Sequence, residues 1–346
     1  MKRSGRAHTI AITAGLLILG TVARAFAALQ DNSRATAAQG TRIVTDDVGR
    51  VMKMPAQVNR IVTLAPNLTE IVYALGLGDK LAGDTSECDN PPAAKLKPHV
   101  GEPQNPSLEA ILALHPDLVL ATTSINRVET ADALVRLRVA VYTSDGEFRT
   151  LLGILDSMGK MAEFMGAKRQ GDELVSRLRQ RLDALHARLE NRPMVHVLFV
   201  VWKDPLITIG QNTFIADGLR WAGAESVVLS KQNWPQISIE EVVHLQPDYI
   251  VFAGGHAQTA GAELADLRAR PVWRDLDAVE LGHVANLNEE AIRPAPGLVD
   301  AIEQLAHELH PEAFPKGGQN RNSNNEMQFA SAVSVEMNAE CHQCAR

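Results

Sequence analysis

The sequence is poor in aromatic residues, which make up 4% of its 346 residues. A ligand pocket walled by many aromatic rings is therefore excluded, and aromatic contacts must come from a few individual side chains. Basic charge is not in excess either, because 34 Lys and Arg against 41 Asp and Glu give a formal net charge of −7. Nucleic-acid binding depends on surplus Lys and Arg at the phosphate backbone. We therefore predict no nucleic-acid partner.

Cysteine is also scarce, with three residues in the chain. Cys88 stands alone, whereas Cys341 and Cys344 form a C-x-x-C pair in a polar C-terminal tail, where a disulfide would cross-link nothing else. The pair lacks the further His of a haem-attachment motif, and a zinc site there would need two more ligands. We predict that the protein itself holds no metal and no cofactor.

Motifs of the common catalytic families are missing as well. Gly76-Leu-Gly78 lacks the third glycine of a dinucleotide fingerprint and ends a predicted helix instead of opening one. His307-Glu-Leu-His310 has one residue too few between its histidines for a zinc protease helix. The chain has no G-x-x-x-x-G-K-[ST] and no G-x-S-x-G. We predict no catalytic residues and no enzyme activity, with a secreted hydrolase as the distant alternative.

The longest apolar run lies at the N-terminus. Three basic residues among the first six precede an apolar stretch over residues 10–23, and Ala25-Phe26-Ala27 gives the small-x-small pattern of a signal-peptidase site. The run is shorter than the roughly 20 residues that span a bilayer, and no second run of that length follows. Residues 1–27 are predicted to be a cleaved signal peptide of a periplasmic protein. No Cys follows the cleavage site, so we expect no lipid or membrane anchor.

The remaining chain divides into two similar regions with a helical segment between them. Residues 42–166 and 193–314 each alternate β-branched runs with helical patterns, which predicts two α/β lobes. In residues 167–192, Leu recurs at spacings of three and four, which predicts one long helix that ends before a proline. The polar flanks are predicted to be a flexible leader over residues 28–41 and a disordered tail over residues 315–346.

An internal repeat connects the two α/β regions. The second copy follows the first at a constant offset of 131 residues (238 − 107). Each copy predicts an N-cap Ser, a short amphipathic helix, a Pro-Asp turn and a buried parallel strand. The constant offset indicates that the two lobes are built alike. The matching pairs are Ser107 and Ser238, Glu109 and Glu240, Leu114 and Leu245, Pro116 and Pro247, and Asp117 and Asp248.

Several stretches, in the same order along the chain, resemble the helical-backbone class of periplasmic binding proteins for cobalamin, ferric siderophores and haem. The cobalamin-binding branch is the most similar, and the resemblance covers roughly residues 42–314. The stretches that carry it are Arg60–Glu70, Cys88–Pro92, Asn105–Glu109, Trp202–Gly210, Asn233–Ser238 and Arg293–Pro296.

The resemblance implies the fold, the partners and the ligand class. The fold would be two Rossmann-like α/β lobes joined by a single long backbone helix. The protein would be a monomeric solute receptor that delivers its ligand to an ABC permease dimer with its ATPase subunits. The implied ligand is a cobalamin-like corrinoid that contains a metal. A ferric siderophore or haem is the alternative within the same class.

The resemblance also implies which residues face the transporter. In the family, one acidic residue on each lobe meets arginines of the permease dimer, and Glu109 and Glu240 occupy the matching positions. A local explanation exists, because the helix dipole favours an acid in the first turn of a helix. A capping box does not explain both acids, since its acid lies at the third helical position, which is Ala110 in one copy and Glu241 in the other. We predict that Glu109 and Glu240 dock the permease.

Four residues are predicted to contact the ligand. Trp234 lies in a Pro-containing loop and Trp202 ends an apolar strand, so both are placed to offer a flat apolar face to a macrocycle. Arg293 lies in a Pro-rich loop near the second-lobe mouth and is predicted to bind an anionic ligand group. The first-lobe positions that hold aromatics in cobalamin receptors differ here, which predicts a more polar wall to which Glu87 contributes. Those positions are Glu87, Pro103 and Thr122.

Three further side chains have two explanations each. Cys88 is either a ligand to a metal centre of the bound solute or a buried structural thiol. His99 and His256 lie in predicted loops at the ligand cleft and are either axial ligands of a haem or corrinoid metal, or surface histidines. A zinc or manganese receptor would need several convergent His and carboxylate ligands, and the sequence does not assemble them.

Overall fold

The computed structural model describes residues 40–253 and 259–314. The predicted signal peptide, most of the leader and the predicted tail with Cys341 and Cys344 lie outside the described residues, as does His256. The chain divides into two compact units. The first contains the described residues up to Gln180 together with Arg293–Pro296, and the second contains Arg181–Ile292 and the described residues from Gly297 onward.

The first unit is built on a four-stranded parallel sheet in the order β4-β3-β7-β8. All five residues of β7 are buried, as expected of a parallel strand covered on both faces. Two antiparallel hairpins, β1-β2 and β5-β6, complete the unit. In chain order the elements are β1 (Thr41–Thr45), β2 (Val51–Pro55), β3 (Ile61–Thr63), α1 (Pro66–Ala74), β4 (Leu81–Gly83), β5 (Gly101–Glu102), β6 (Asn105–Pro106), α2 (Leu108–Ala113), β7 (Leu118–Thr122), α3 (Val128–Arg136), β8 (Val141–Ser144) and α4 (Leu151–Phe164).

A 22-residue helix, α5 (Lys168–Leu189), contains the boundary between the units. It ends three residues before the predicted end at residue 192. Pro193 then keeps Arg192 out of the helical region. The apolar stripe of the helix is buried at Leu178, Leu182, Leu185 and Leu189. At its start the stripe is predicted to begin at Val175, but the buried residue is Leu174, and Val175 is only partly buried.

The second unit holds a five-stranded sheet in which β9 is central. Strands β12 and β13 continue the sheet in parallel on one side of β9, and on the other side parallel β11 and antiparallel β10 pair with different parts of β9. These two α/β units confirm the predicted fold class. In chain order the elements are β9 (Val195–Lys203), β10 (Leu206–Thr208), α6 (Phe214–Trp221), β11 (Ala224–Ser226), α7 (Ile239–Leu245), β12 (Tyr249–Ala253), α8 (Ala260–Ala269), α9 (Asp277–Glu280), β13 (Val284–Leu287) and α10 (Gly297–Leu309).

The internal repeat appears as two equivalent helix–strand pairs, α2-β7 and α7-β12. The Ser107 hydroxyl accepts a hydrogen bond from the backbone N–H of the third helical residue at 3.2 Å, and Ser238 does the same at 3.2 Å. Each helix is followed by a non-glycine residue in the left-handed region, His115 with φ 46° and Gln246 with φ 43°. The offset between them is again 131 residues, so the repeat extends to the backbone conformation.

The aspartates of the repeat connect neighbouring strands, a role beyond the predicted turn. Asp117 Oδ2 accepts hydrogen bonds from the backbone N–H groups of Asn59 at 2.8 Å and Arg60 at 2.9 Å, just before β3. Asp248 Oδ2 accepts one from the N–H of His196 at 2.9 Å, at the start of β9. In each unit the carboxylate thus lies just before one strand and holds the start of the neighbouring strand. The strands joined in this way are β7 and β3 in the first unit, and β12 and β9 in the second.

Candidate functional site

The carboxyl ends of the parallel strands are where open α/β sheets bind ligands. In the second unit the carboxyl end of β9 carries Trp202, whose side chain is 47% exposed. The strand was predicted to stop at this residue, but pairing with β10 extends it to Lys203. The Trp202 indole N–H donates to the Asp204 carbonyl at 2.9 Å, which holds the ring at the edge of the sheet.

Trp234 is carried by a loop that runs alongside β10. Ile207 of β10 pairs with Trp202 on one side and with Gln236 on the other. Adjacent strands are about 4.8 Å apart, so the Trp202 and Gln236 backbones lie roughly 10 Å apart across β10. Trp234 lies two residues before Gln236 in the same segment. Trp234 is 51% exposed. The structure therefore brings the two predicted ligand tryptophans into one hydrogen-bonded extension of the second unit.

An ion cluster that sequence reasoning missed lies next to Trp202. Lys203 Nζ is 2.6 Å from Glu263 Oε2 and 2.8 Å from Asp266 Oδ2, and it also lies 5.3 Å from the centre of the Phe252 ring. Burial alone would lower the pKa of Lys203, but its hydrogen bonds to the two carboxylates outweigh this and raise the pKa. The hydrogen bond from Lys203 is the main reason that the pKa of Asp266 is lowered. Because neighbouring strand residues face opposite sides, this cluster anchors the backbone behind Trp202.

Asn126 organises the carboxyl edge of the sheet in the first unit. Its buried side-chain amide donates to the carbonyls of Leu64 at 2.7 Å and Pro103 at 2.9 Å, and its oxygen accepts the Thr122 N–H at 2.8 Å. Of the three positions matched to family aromatics, Pro103 and Thr122 are buried and Glu87 is exposed. Glu87 thus offers a carboxylate at this edge, and its ligand contact stays a prediction.

The structure favours the second explanation for Cys88, a buried structural thiol. It is 2% exposed, and its sulfur contacts the hydroxyls of Thr69 at 3.1 Å and Thr85 at 3.2 Å. Burial raises its pKa, with smaller opposing contributions from the two threonines. The idea that Cys88 faces a ligand is therefore wrong, because its thiol is enclosed in the first unit.

His99 is paired with a carboxylate immediately beyond the end of β4. His99 Nδ1 lies 2.8 Å from Asp84 Oδ1, and the Asp84 side chain is fully buried. Burial raises the pKa of Asp84 to about 6, although the hydrogen bond with His99 opposes the rise. The pKa of Tyr73 is raised mainly by burial and, to a smaller extent, by the nearby negative charge of Asp84. This pairing accounts for the position of His99 without a ligand metal.

Arg293 belongs to the first unit, whereas the sequence assigned it to the second lobe. Its guanidinium donates to Glu70 Oε1 at 3.1 Å and lies 3.8 Å from Asp89 Oδ1. The Glu70 side chain is nearly buried, and an unpaired carboxylate there would destabilise the fold. The Arg293 guanidinium compensates its charge. Binding of an anionic ligand group by Arg293 stays a prediction, and such a group would compete with Glu70.

Glu109 and Glu240 occupy equivalent places in the first turns of α2 and α7. Both side chains are exposed, and within residues 40–253 and 259–314 neither carboxylate has a hydrogen-bond or ion-pair partner. Ser107 and Ser238 already cap the helices, so the acids are not needed as caps. Their role as docking residues stays a prediction.

Residues 40–253 and 259–314 contain no group of three or more His, Cys, Asp or Glu side chains that could hold a metal ion. No helix in this part of the chain combines the length and the apolar character of a membrane span.

The fold and the edge residues define a two-lobed α/β receptor of the class with a single backbone helix. The chain belongs to the periplasmic binding protein family, whose model matches residues 61–291. It is 30% identical over 261 residues to the vitamin B12-binding protein of Vibrio cholerae, covering 74% of this chain and 90% of that protein. It is 28% identical over 314 residues to the ABC transporter substrate-binding lipoprotein YvrC of Bacillus subtilis, covering 88% and 98%.

Solved structures give the same family. The crystal structure of the periplasmic vitamin B12-binding protein BtuF of Vibrio cholerae matches with a TM-score of 0.64 at 31% identity, covering 75% of this chain and 98% of that one. A periplasmic haem-binding protein from Pseudomonas aeruginosa matches with a TM-score of 0.65 at 26% identity, covering 73% and 93%. These relatives are binding proteins and not enzymes, and their ligands differ.

Proposed function

We propose that this protein is an exported receptor of an ABC importer and that it binds a cobalamin-like corrinoid without chemical change. The observation that carries the ligand class is the pair of half-exposed tryptophans at the carboxyl edge of the second sheet, connected through β10. Two such rings provide a broad apolar face of the kind a flat macrocycle covers. The relatives named as vitamin B12-binding proteins support the same ligand.

The first unit supports a ligand with a hydrogen-bonding periphery. Its strand-end loops present the exposed carboxylate of Glu87 and are held by the hydrogen bonds of Asn126. A corrinoid carries amide groups around its ring, and the Glu87 carboxylate can accept a hydrogen bond from an amide N–H. A haem offers two carboxylates instead, which Glu87 would repel. Haem and ferric siderophores remain the second candidates because relatives of this fold bind haem.

The ligand assignment is tested by equilibrium titration of the purified protein with cyanocobalamin, haemin and a ferric siderophore. Trp234→Ala removes one ring, and covering about 100 Å² of apolar surface at about 25 cal/mol per Å² corresponds to roughly 2.5 kcal/mol, or about a 70-fold loss of affinity. Leu281→Ala is the matched control, because Leu281 is a 67% exposed apolar residue of the same unit. Unchanged affinity in Trp234→Ala would exclude the tryptophan face as the site.

The transporter assignment is supported by the equivalent exposed acids of the repeat. Reversing both charges, with Glu109→Lys and Glu240→Lys, is expected to abolish stimulation of the importer ATPase while ligand affinity stays intact. The control pair is Glu129→Lys and Glu280→Lys, which adds the same charge and also changes one exposed acid in each unit. Stimulation that survives the first pair, or that is lost equally in the control pair, would contradict docking through these acids.

Export to the periplasm, a single chain per receptor and the absence of catalysis complete the proposal. The relatives support export because they are described as periplasmic proteins or as a lipoprotein. Export is tested by fractionating cells that express the full chain and measuring the mass of the periplasmic product. A mass that retains residues 1–27 would contradict cleavage of the signal peptide.

A further inference from the structure

The loop that carries Trp234 lies against Gly210 more closely than any other residue would allow. A Cβ atom built on Gly210 would lie 1.8 Å from the Gln232 carbonyl oxygen and 2.9 Å from the Ser230 carbonyl oxygen. Both contacts are to backbone atoms, so a side-chain movement does not relieve them and the loop itself must shift. The requirement for glycine is therefore one of space, since Gly210 is not among the glycines with positive φ.

Backbone hydrogen bonds on both sides of this contact fix the loop in register. They hold the residues immediately before and after Trp234, while the indole ring stays half exposed. These backbone bonds thus fix the point from which the ring projects. The bonds run from the N–H of Thr208 to the carbonyl of Pro235 at 3.0 Å, from Gly210 to Asn233 at 2.9 Å, and from Gln211 to Ser230 at 2.9 Å.

A side-chain hydrogen bond closes the turn that leads into Trp234. The Ser230 hydroxyl accepts the N–H of Gln232 at 3.1 Å. This bond and the close contact with Gly210 both constrain the loop residues just before Trp234. A substitution at Ser230 or at Gly210 can therefore move Trp234 without changing an aromatic residue.

We propose that Gly210 is a positioning residue for ligand binding, because its lack of a side chain lets the Trp234 loop pack against β10 and its continuation. The proposal rests on the ligand contact proposed for Trp234. A side chain at position 210 displaces the loop, and the indole then no longer lies where it forms one face with Trp202. Gly210 itself touches no ligand in this account.

The test is a double-mutant cycle with cyanocobalamin as the probe. Gly210→Ala is measured alone and combined with Trp234→Ala. We expect a loss of affinity of at least about tenfold in the otherwise unaltered protein and less than about twofold when Trp234 is already absent, because coupled residues are not additive. Gly261→Ala is the control, since a Cβ atom there meets nothing within 4 Å. Unchanged affinity, or equal losses in both backgrounds, would overturn the proposal.

A second readout needs no ligand and separates this proposal from the ligand assignment. The emission of Trp234 is obtained as the difference between each protein and its Trp234→Ala counterpart. Gly210→Ala is expected to change the emission maximum and the acrylamide quenching of that difference spectrum, and identical difference spectra would overturn the positioning role. If the unaltered protein does not bind cyanocobalamin, the proposed ligand fails while the spectra still decide on Gly210. If Gly210→Ala does not fold, Ser230→Ala replaces it with the same expectations.

Discussion

Lys203 offers a direct test of the energetics behind the second-unit edge. Its ammonium lies 2.6 Å from Glu263 Oε2 and 2.8 Å from Asp266 Oδ2, and Glu263 is 3% exposed. Lys203→Met keeps most of the aliphatic length but leaves the Glu263 carboxylate buried without its partner. Removing one member of a buried ion pair costs about 3–5 kcal/mol. Asp266 loses less, because Arg270 also pairs with it at 2.9 Å.

The assay is urea unfolding at pH 7, followed by far-UV circular dichroism. Lys168→Met is the matched control, since Lys168 and Asp172 form an exposed pair at 3.0 Å whose attraction is screened by solvent. Adding Glu263→Gln to Lys203→Met is expected to recover part of the loss, because a neutral amide is cheaper to bury than an unpaired carboxylate. A loss in Lys203→Met no larger than in Lys168→Met would refute the reasoning.

Three further predictions concern stability. Asp84→Asn removes an acid whose folded pKa of about 6 lies above its unfolded value of 3.8. The stability from this raised pKa is present below pH 4 and is lost as the pH rises through 6. In urea titrations the variant should therefore be more stable than the unaltered protein at pH 8 by about 1–3 kcal/mol, and its stability should vary less with pH. His115→Gly and Gln246→Gly should each stabilise the protein by about 0.5–1 kcal/mol in the same assay, because a Cβ atom is unfavourable in left-handed backbone. The gain should be smaller at Gln246, because its side-chain amide donates a hydrogen bond to the Val243 carbonyl that glycine would lose. Val272→Gly should raise the melting temperature, because a β-branched residue at φ 72° stores about 1–3 kcal/mol of strain.

For each of these variants, one result would contradict the prediction. A stability of Asp84→Asn that falls in parallel with that of the unaltered protein from pH 4 to pH 8 would mean that Asp84 keeps an ordinary pKa. Destabilisation by His115→Gly would show that the equivalent turns of the repeat are not strained. An unchanged melting temperature in Val272→Gly would place the strain elsewhere.

Much of the fold follows from local sequence signals. The caps at Ser107 and Ser238, the short helices after them and the buried strands β7 and β12 depend on residues within one stretch, so sequence patterns report them. The left-handed conformation of His115 and Gln246 has no local signal, because neither residue is the Gly or Asn that usually adopts it.

The site was predicted less completely because it depends on distant contacts. Trp202 and Trp234 are predicted from a strand end and a Pro-containing loop, but their connection through β10 depends on pairing between three separate stretches. Lys203 meets a carboxylate 60 residues away, which no periodicity encodes. Arg293 was assigned to the wrong unit because a loop can pack against a unit that is not its neighbour in sequence. Gly210 carries no local sequence signal, because its need for glycine comes from the carbonyl of Gln232 in a later loop.

Corrinoid binding by the tryptophans of the second unit can be measured in a single equilibrium titration. Purified protein is titrated with cyanocobalamin beside Trp234→Ala and the Leu281→Ala control, and the bound fraction is read from the corrinoid spectrum. We expect saturation at one corrinoid per chain, an affinity lower by roughly 70-fold in Trp234→Ala, and no change in Leu281→Ala. Absence of saturable binding to the unaltered protein, or equal affinity in all three proteins, would contradict it.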